Sequence, residues 1–232
     1  MGKYFGIGVG PGDPELLTLK AVRILQAAQV VCYIANPQGQ SMARDIVAQY
    51  LKPNQCELPI SITMDVDRSQ TIKSYDSATS QMSEYLLQGN NVAVLCLGDP
   101  LFYGSFNYIY ERLMGKFECE VIPGITSLSA ASAVSKKSFS YLSDRVAIVS
   151  AKNNDAQIKN ALHTFDSVAI LKAGRERKRL LQLIEQCGRW HDTVYVEKAS
   201  YEDQHVFHDL NDVPQTQGSY FSLFLTTAKR QK

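Results

Sequence analysis

Short apolar runs alternate with amphipathic segments through the first half of the chain. The runs of mainly apolar residues predict buried strands at 3–9, 30–34, 91–97 and 120–122. Apolar residues spaced three and four positions apart predict helices at 14–25, 41–51, 75–88, 106–114 and 126–134. Strands that alternate with helices are typical of a parallel sheet with helices packed on its faces.

The second half of the chain repeats this alternation and then departs from it. Strands are predicted at 145–150, 167–171 and 193–197, and helices at 155–164 and 175–186. The tail has strand-like segments at 204–209 and 219–227 with no helix between them. The pattern therefore predicts an α/β fold of two domains. An N-terminal parallel-sheet α/β domain occupies residues 1–135, and a smaller mixed-sheet α/β domain occupies residues 136–232.

Composition and charge narrow the class of protein. Of the 232 residues, 45% are hydrophobic and 20% are charged, and the formal net charge is +1, so no basic field predicts a nucleic-acid partner. Apolar runs such as 92–97 are far shorter than the roughly 20 residues that a membrane span requires. The N-terminus lacks the basic-then-apolar pattern of a signal segment. We expect a cytoplasmic enzyme with no membrane partner.

Cysteine and histidine positions do not follow the spacing of a metal site. The cysteines occur singly and never as CxxC, which predicts reduced thiols at Cys32, Cys56, Cys96, Cys119 and Cys187. His205 and His208 lie three residues apart in a predicted strand, so their side chains point to opposite faces and are expected at the surface. We therefore expect no metal centre.

Three loops directly follow predicted strands of the first domain, at 8–13, 98–105 and 123–127. The edge at which strands of an open α/β sheet end is where such sheets bind ligands. The first loop is not a dinucleotide fingerprint, because a GxGxxG pattern that starts at Gly8 would place its last glycine at Asp13. Its spacing alone indicates a tight backbone turn.

The other two loops contain polar and aromatic side chains suited to binding a ligand. The second has Asp99 and two glycines that flank Tyr103, a pattern that suits either a capped turn or a flat, cationic ligand. In the third, Thr126 and Ser127 either cap a helix or hold a polar ligand.

These loops resemble, in order and spacing, the motifs of the tetrapyrrole (corrin/porphyrin) methylase family. The matching segments are GVGPGDPELLTLKA at 8–21, GDPLFYGS at 98–105, PGITS at 123–127, VEKAS at 196–200 and YFSL at 220–223. Within the family, the first motif together with LFYGSF at 101–106 and Arg112-Leu113 is most similar to the branch that methylates carbon 20 of precorrin-2, or of cobalt-precorrin-2, in cobalamin biosynthesis. The resemblance implies an S-adenosylmethionine-dependent C-methyltransferase that is a homodimer and binds its methyl donor in the cleft between two α/β domains.

The family motifs also imply which residues form the site. Position by position, the cofactor contacts are Leu97, Gly98, Asp99, Phe102, Thr126, Ser127, Leu171, Lys172, Ala199, Tyr220, Phe221 and Ser222. The turn at Pro11, Gly12 and Asp13 is expected to face the tetrapyrrole.

Basic residues are needed for the carboxylates of precorrin-2. Lys136 and Lys137, near the domain boundary, are predicted to bind the substrate, and the further candidates are Lys20, Arg44, Arg175 and Arg177. The run at 175–179 is also typical of a solvated helix face, which is the interpretation we favour. No residue is predicted as the catalytic base, because the proton lost from an electron-rich carbon needs only a weak base or water.

One position predicts which tetrapyrrole is a poor substrate. Family members that methylate uroporphyrinogen III carry an aspartate at the end of the second strand, and this chain has Ile34 there. Isoleucine accepts no proton, so uroporphyrinogen III is expected to be a poor substrate. The alternative, that Asp99 or Glu197 takes the proton instead, stays open at this stage.

Two other functions are compatible with the sequence. The first is a family member that methylates a different tetrapyrrole, RNA or a protein, although the near-neutral charge does not favour RNA. The second is a nucleotide-binding module without catalysis. Turnover of precorrin-2 with S-adenosylmethionine distinguishes all of them.

Overall fold

A parallel sheet of five strands organises the first half of the chain in a computed structural model that describes residues 1–62 and 68–227. Its strands are β1 (Tyr4–Gly8), β2 (Val30–Ala35), β3 (Cys56–Ser61), β4 (Val92–Cys96) and β5 (Cys119–Ile122). They lie in the order β3-β2-β4-β1-β5, and every pair is parallel. Every residue of β1 and β4 is buried, as expected for strands covered on both faces. The predicted parallel sheet is confirmed.

Helices cover the two faces of this sheet. They are α1 (Leu19–Ala27), α2 (Met42–Ile46), α3 (Arg68–Leu87) and α4 (Phe106–Leu113). Side chains of α1 and α2 share an apolar cluster with Phe5, and side chains of α3 and α4 share another with the neighbouring Tyr4. Because successive strand residues point to opposite faces, the two clusters lie on opposite sides of the sheet.

Several local details differ from the sequence predictions; for example, α3 begins at Arg68 and not at residue 75, and α2 ends at Ile46 and not at residue 51. The predicted helix that starts at Pro14 is instead a short 3-10 turn capped by Asp13, and α1 begins at Leu19 with Thr18 as its cap. This later start turns Leu19 to the outside, where it is 91% exposed, although the pattern had placed it on the apolar side. Strand β3 was not predicted, because it is an edge strand with one buried residue, Ile60, and lacks a continuous apolar run.

The second half of the chain forms a mixed sheet of five strands. They are β6 (Val146–Ser150), β7 (Ser167–Leu171), β8 (Thr193–Glu197), β9 (His205–Phe207) and β10 (Ser222–Thr226), in the order β6-β7-β10-β8-β9. Strands β6 and β7 pair in parallel, and the other pairs are antiparallel. This agrees with the predicted mixed sheet, whose tail lacks helices between its strands.

Three helices accompany this sheet: α5 (Ser127–Ser135), α6 (Asp155–Thr164) and α7 (Arg177–Gln186). Side chains of α6 and α7 share one apolar cluster with β7, β8 and β10. The chain divides into the units Met1–Thr126 and Ser127–Lys232, so α5 belongs with the second unit, where it packs on β8 and β10. The division predicted from sequence lies one helix later, after residue 135. Within the described residues, none of the helices combines the length and the apolar character needed to cross a membrane.

Candidate functional site

The three glycine-containing loops of the first unit meet at the edge where β1, β4 and β5 end. Gly98 N–H donates to the Gly10 carbonyl at 2.8 Å, and Gly10 N–H donates to the Gly98 carbonyl at 3.3 Å, so the first two loops form an isolated antiparallel bridge. Asp99 joins the second loop to the third. Its Oδ1 accepts from Leu101 N–H at 2.9 Å and its Oδ2 from Gly124 N–H at 3.1 Å. The structure thus brings together loops that are about 90 and 25 residues apart in sequence.

Glycines at this edge serve two different purposes. A Cβ on Gly124 would lie 2.2 Å from the Gly98 carbonyl oxygen, and one on Gly8 would lie 2.5 Å from Gly124 N, so here backbone packs directly on backbone. Gly98 has a φ of +72°, and the nearest atom to a Cβ at that position is the Ile125 carbonyl oxygen at 3.9 Å. Gly98 therefore leaves open space beside the backbone, and such space lets a ligand approach closely.

Aromatic side chains line the loop after Gly98. Phe102 is half-buried, and its ring meets that of Tyr103 edge-on at 5.3 Å between centroids. Tyr103 has a φ of 56° and is 47% exposed. Two aromatic rings beside an open glycine backbone provide the surface that a flat or positively charged ligand requires.

The predicted cofactor positions of the second unit also share one edge of their sheet. Strand β10 lies between β7 and β8 and runs antiparallel to both, so its start meets their ends. Leu223 accordingly pairs with Leu171, and Ser222 with Glu197. Lys198 N–H donates to the Phe221 carbonyl at 2.7 Å. Leu171, Lys172, Ala199, Tyr220, Phe221 and Ser222 are therefore neighbouring positions at this edge.

Left-handed backbone conformations concentrate in the same loops. Lys172, Lys198 and Ser200 have φ values of 61°, 48° and 71°, and they adjoin or occupy predicted cofactor positions. A residue with a side chain adopts this region only at an energetic cost, so the surrounding contacts must hold it there. Such strain is more frequent at binding sites than elsewhere.

A buried ion pair next to this edge joins the first residue of α7, Arg177, to the last residue of β8, Glu197. The Arg177 side chain is 3% exposed, and its Nη1 donates to Glu197 Oε1 at 3.0 Å. Its Nε donates to the Thr216 carbonyl at 2.8 Å and its Nη2 to Thr216 Oγ1 at 3.2 Å. The same Glu197 oxygen accepts from Tyr195 Oη at 2.8 Å and from Ser219 N–H at 2.9 Å. Burial raises the pKa of Tyr195, which keeps its hydroxyl a neutral donor.

This network corrects the interpretation of the 175–179 run. Arg177 is the first residue of α7 and points inward, and Arg179 is half-buried between Asp155 and Glu176. Only Arg175 and Lys178 fit the predicted solvated helix face. A run of charges carries no signal for which member turns inward, because that depends on where the helix begins.

The predicted substrate residues lie in separate places. Pro11 and Gly12 are buried in the first turn, where Asp13 Oδ1 accepts from Glu15 N–H at 2.8 Å. Lys136 is exposed with a φ of 53°. Lys137 is half-buried, its Nζ lies 3.5 Å from the Asp192 carbonyl oxygen, and burial lowers its pKa.

Lys137 is thereby placed at the start of β8, at the opposite edge of the second sheet from Leu171 and Ala199. Among the other basic candidates, Lys20 pairs with Glu120 at 2.5 Å and Arg44 pairs with Glu57 at 2.9 Å. The described cysteines are all free, and His205 and His208 are both exposed, as predicted.

Residues 3–213 match the family model of the tetrapyrrole (corrin/porphyrin) methylases. The chain is 34% identical over 239 aligned residues to the cobalamin biosynthesis protein CobIJ of Mycobacterium tuberculosis, covering 100% of this chain and 47% of that protein. It thus spans about half the length of that relative. It is 33% identical to a precorrin-2 C(20)-methyltransferase of Sinorhizobium, covering 97% of this chain and 95% of the relative. It is 25% identical to a cobalt-precorrin-2 C(20)-methyltransferase of Salmonella typhimurium, covering 97% and 95%.

Solved structures have the same fold. The methyltransferase CobJ superposes with a TM-score of 0.75 at 16% identity, covering 100% of this chain and 98% of that one. A uroporphyrin-III C-methyltransferase of Thermus thermophilus, complexed with S-adenosylhomocysteine, superposes with a TM-score of 0.69 at 22% identity, covering 97% of each chain.

Proposed function

Because the chain belongs to the tetrapyrrole (corrin/porphyrin) methylase family, we propose that it transfers a methyl group from S-adenosylmethionine to carbon 20 of precorrin-2 or of cobalt-precorrin-2, in cobalamin biosynthesis. The observation that carries the proposal is the similarity to the Sinorhizobium relative along nearly the whole of both chains. We further propose that the protein is a cytoplasmic homodimer, as the family resemblance implies.

The loops have the features that an S-adenosylmethionine site needs. In the first unit these are the open backbone at Gly98 and the ring of Phe102, and the same region includes Leu97, Asp99, Thr126 and Ser127. In the second unit the strained loops around Lys172 and Ala199 adjoin Leu171 and the segment 220–222. We propose that both groups of residues contact the cofactor, and that Pro11, Gly12, Asp13, Lys136 and Lys137 contact the substrate. Of these five, Lys137 is the least supported, because it lies at the far edge of its sheet.

The chemistry depends on positioning more than on a strong acid or base. When bound, S-adenosylmethionine supplies a methyl group on a positively charged sulfur. An electron-rich carbon of the substrate attacks the methyl carbon in line with the carbon–sulfur bond, and S-adenosylhomocysteine leaves. The protein's contribution is to orient the two reactants and to keep water from them. Backbone held rigid by the Gly10–Gly98 bridge and by Asp99 serves that purpose.

Methyl transfer is tested by incubating the purified protein anaerobically with methyl-labelled S-adenosylmethionine and precorrin-2, with and without cobalt in the macrocycle. We expect a single methyl group on carbon 20, and the better of the two substrates identifies the physiological form. In parallel incubations with RNA or cell protein in place of precorrin-2, label that appears only there would support the other family activity. Binding of S-adenosylhomocysteine in calorimetry with no labelled product in any incubation would support a non-catalytic module.

A matched pair of glycine variants tests the cofactor site. Gly98 and Gly115 have φ values of 72° and 77°, and a Cβ would meet little or nothing at either one. Alanine at each should therefore cost a similar amount of stability, about 1–2 kcal/mol for the left-handed backbone. Only Gly98→Ala should weaken S-adenosylhomocysteine binding in calorimetry, because only its methyl group enters the proposed ligand space. Equal affinity of the two variants would remove Gly98 from the site.

A further inference from the structure

We propose that Arg177 is a positioning residue for the cofactor: its buried guanidinium holds the segment 216–222 in the conformation that presents Tyr220, Phe221 and Ser222 to S-adenosylmethionine. This inference rests on the proposed function. Arg177 touches none of those three residues in the hydrogen bonds described above, so its effect is transmitted through Thr216 and Glu197.

The guanidinium holds the segment 216–222 at two points, Thr216 and Ser219. Two of its nitrogens donate to Thr216, at the beginning of the segment. The third contact, to Glu197, extends to the backbone of Ser219 through the carboxylate oxygen that both share. Arginine is suited to this role because its planar fork donates in fixed directions to several acceptors and stays charged when buried. The stacking of the same guanidinium over the Tyr195 ring, at 5.6 Å, restricts its orientation further.

Close packing leaves the segment no room to shift. A Cβ on Gly218 would lie 2.2 Å from Glu197 Oε1 and 2.6 Å from Arg177 Nη1. A Cβ on Gly174 would lie 1.9 Å from the Ser219 carbonyl oxygen, and Gly218 N–H donates to the Gly174 carbonyl at 2.9 Å. The segment therefore lies in direct backbone contact with Gly174, in the turn before α7, and packs against the ion pair.

The position of Ser219 is passed on to the predicted cofactor residues. Phe221 N–H donates to Ser219 Oγ at 3.2 Å, and Ser222 Oγ donates to the Ser219 carbonyl at 2.7 Å. Lys198, next to Glu197, donates its N–H to the Phe221 carbonyl. Loss of the Arg177 contacts would release Thr216 and Ser219, and with them the two loops that flank the start of β10.

A second arginine, Arg189, is mostly buried and provides a control within the same unit. Arg189 pairs with Asp192 at 3.2 Å and donates to the carbonyl groups of Leu162, Phe165, Asp166 and Thr227. These groups lie at the other edge of the sheet, where β7 and β8 start and β10 ends. Both arginines fasten chain segments together, but only Arg177 lies behind the proposed cofactor positions.

The experiment compares Arg177→Lys with Arg189→Lys. Lysine keeps the charge but loses the fork, so both variants should unfold at a lower temperature. The dissociation constant of S-adenosylhomocysteine, measured by calorimetry below both transitions, should rise about tenfold or more for Arg177→Lys and stay unchanged for Arg189→Lys. In the methyltransferase assay the KM for S-adenosylmethionine should rise more than kcat falls, and amide hydrogen exchange should accelerate in 216–222. Unchanged affinity in Arg177→Lys, or an equal loss in Arg189→Lys, would overturn the proposal.

Gly218→Ala keeps the test decisive if Arg177→Lys does not fold. It removes no hydrogen-bonding group but forces the segment away from the ion pair, so it should also weaken S-adenosylhomocysteine binding and accelerate exchange in 216–222. Wild-type affinity in this variant would contradict the positioning role. Absence of S-adenosylhomocysteine binding by the unsubstituted protein would instead contradict the proposed function.

Discussion

Asp99, a proposed cofactor position, and Glu197, which is close in sequence to the proposed position Ala199, both accept hydrogen bonds from the protein's own donors. Each oxygen of Asp99 accepts one backbone N–H. One oxygen of Glu197 accepts from Arg177, Tyr195 and Ser219. An ionised carboxylate is an acceptor only, and these are engaged in holding loops. Both side chains therefore have a structural role in these loops, which is the role that we favour for them over that of replacing the missing aspartate at Ile34.

Uroporphyrinogen III should therefore be a poor substrate. Ile34 pairs with Ile60 in the neighbouring strand and is half-buried beside an apolar cluster. Neither isoleucine of this pair can take up a proton. Proton removal by a positioned base is worth about 10²–10⁴ in rate, and that contribution should be missing for uroporphyrinogen III. The measurement is the rate of methylation of each tetrapyrrole by the same anaerobic preparation.

The variant Ile34→Asp sharpens this comparison. It should raise the rate with uroporphyrinogen III relative to that with precorrin-2, because it restores the carboxylate found in family members that use the former. Comparable rates for the two substrates in the unsubstituted protein would show that the assignment to the precorrin-2 branch is wrong.

Single residues were predictable where a local motif determines them. The loops at 98–105 and 123–127 were found because they directly follow predicted strands, and in the structure Gly124 N–H donates to Asp99. The inward turn of Arg177 was not predictable. It depends on acceptors at Thr216 and Glu197, which are distant in sequence and become neighbours only when β8 and the segment before β10 meet.

At the level of elements, the strands buried on both faces were the easiest to predict. Strands β7 and β8 have the predicted bounds, because a parallel or central strand has a continuous apolar run. Edge strand β3 lacks such a run and was missed. The start of α1 was also misplaced, since Asp13-Pro14 and Thr18 are both good caps and only packing selects between them.

A cluster of three side chains ties β2, α2 and β3 together. Glu57 Oε2 accepts from Tyr33 Oη at 2.7 Å and from Arg44 Nε at 3.0 Å, and its Oε1 accepts from Arg44 Nη2 at 2.9 Å. The hydrogen bonds from Arg44, followed by that from Tyr33, hold the pKa of Glu57 below its ordinary value of 4.5, while burial opposes them. The edge strand β3, with few buried apolar residues, is thereby fastened to the sheet by polar contacts.

The cluster predicts a dependence of stability on pH. A carboxyl group whose pKa is lower in the folded state stabilises the fold above its unfolded pKa, and this stabilisation is lost as the pH falls through the folded value. Glu57→Gln should therefore lower the free energy of unfolding at pH 7, and the difference from wild type should shrink below about pH 4.5. Urea unfolding at several pH values measures it. Glu185→Gln, an exposed change on α7, should have little effect at any pH, and a Glu57→Gln deficit that does not shrink as the pH falls below about 4.5 would contradict the electrostatic origin.

On the scale of the whole chain, the loops proposed to bind the cofactor lie at one edge of the sheet in each unit, although the two sheets differ in type. In the first, the loops follow parallel strands, and in the second they lie where two strands end and an antiparallel one begins. The sequence predicted both sheet types because helices separate the strands of one and are missing from the tail of the other. The predicted division after residue 135 and the division into contact units after Thr126 differ by the helix α5, which packs on β8 and β10.

The oligomeric state is a property of the whole molecule for which the expectation comes from the family resemblance. We propose that the chain forms a homodimer, as the family resemblance implies. Sedimentation velocity at micromolar concentration should therefore give about twice the chain mass of 25.9 kDa, both with and without S-adenosylhomocysteine. A monomer under these conditions, with methyl transfer intact, would show that one copy of the chain is sufficient for the reaction.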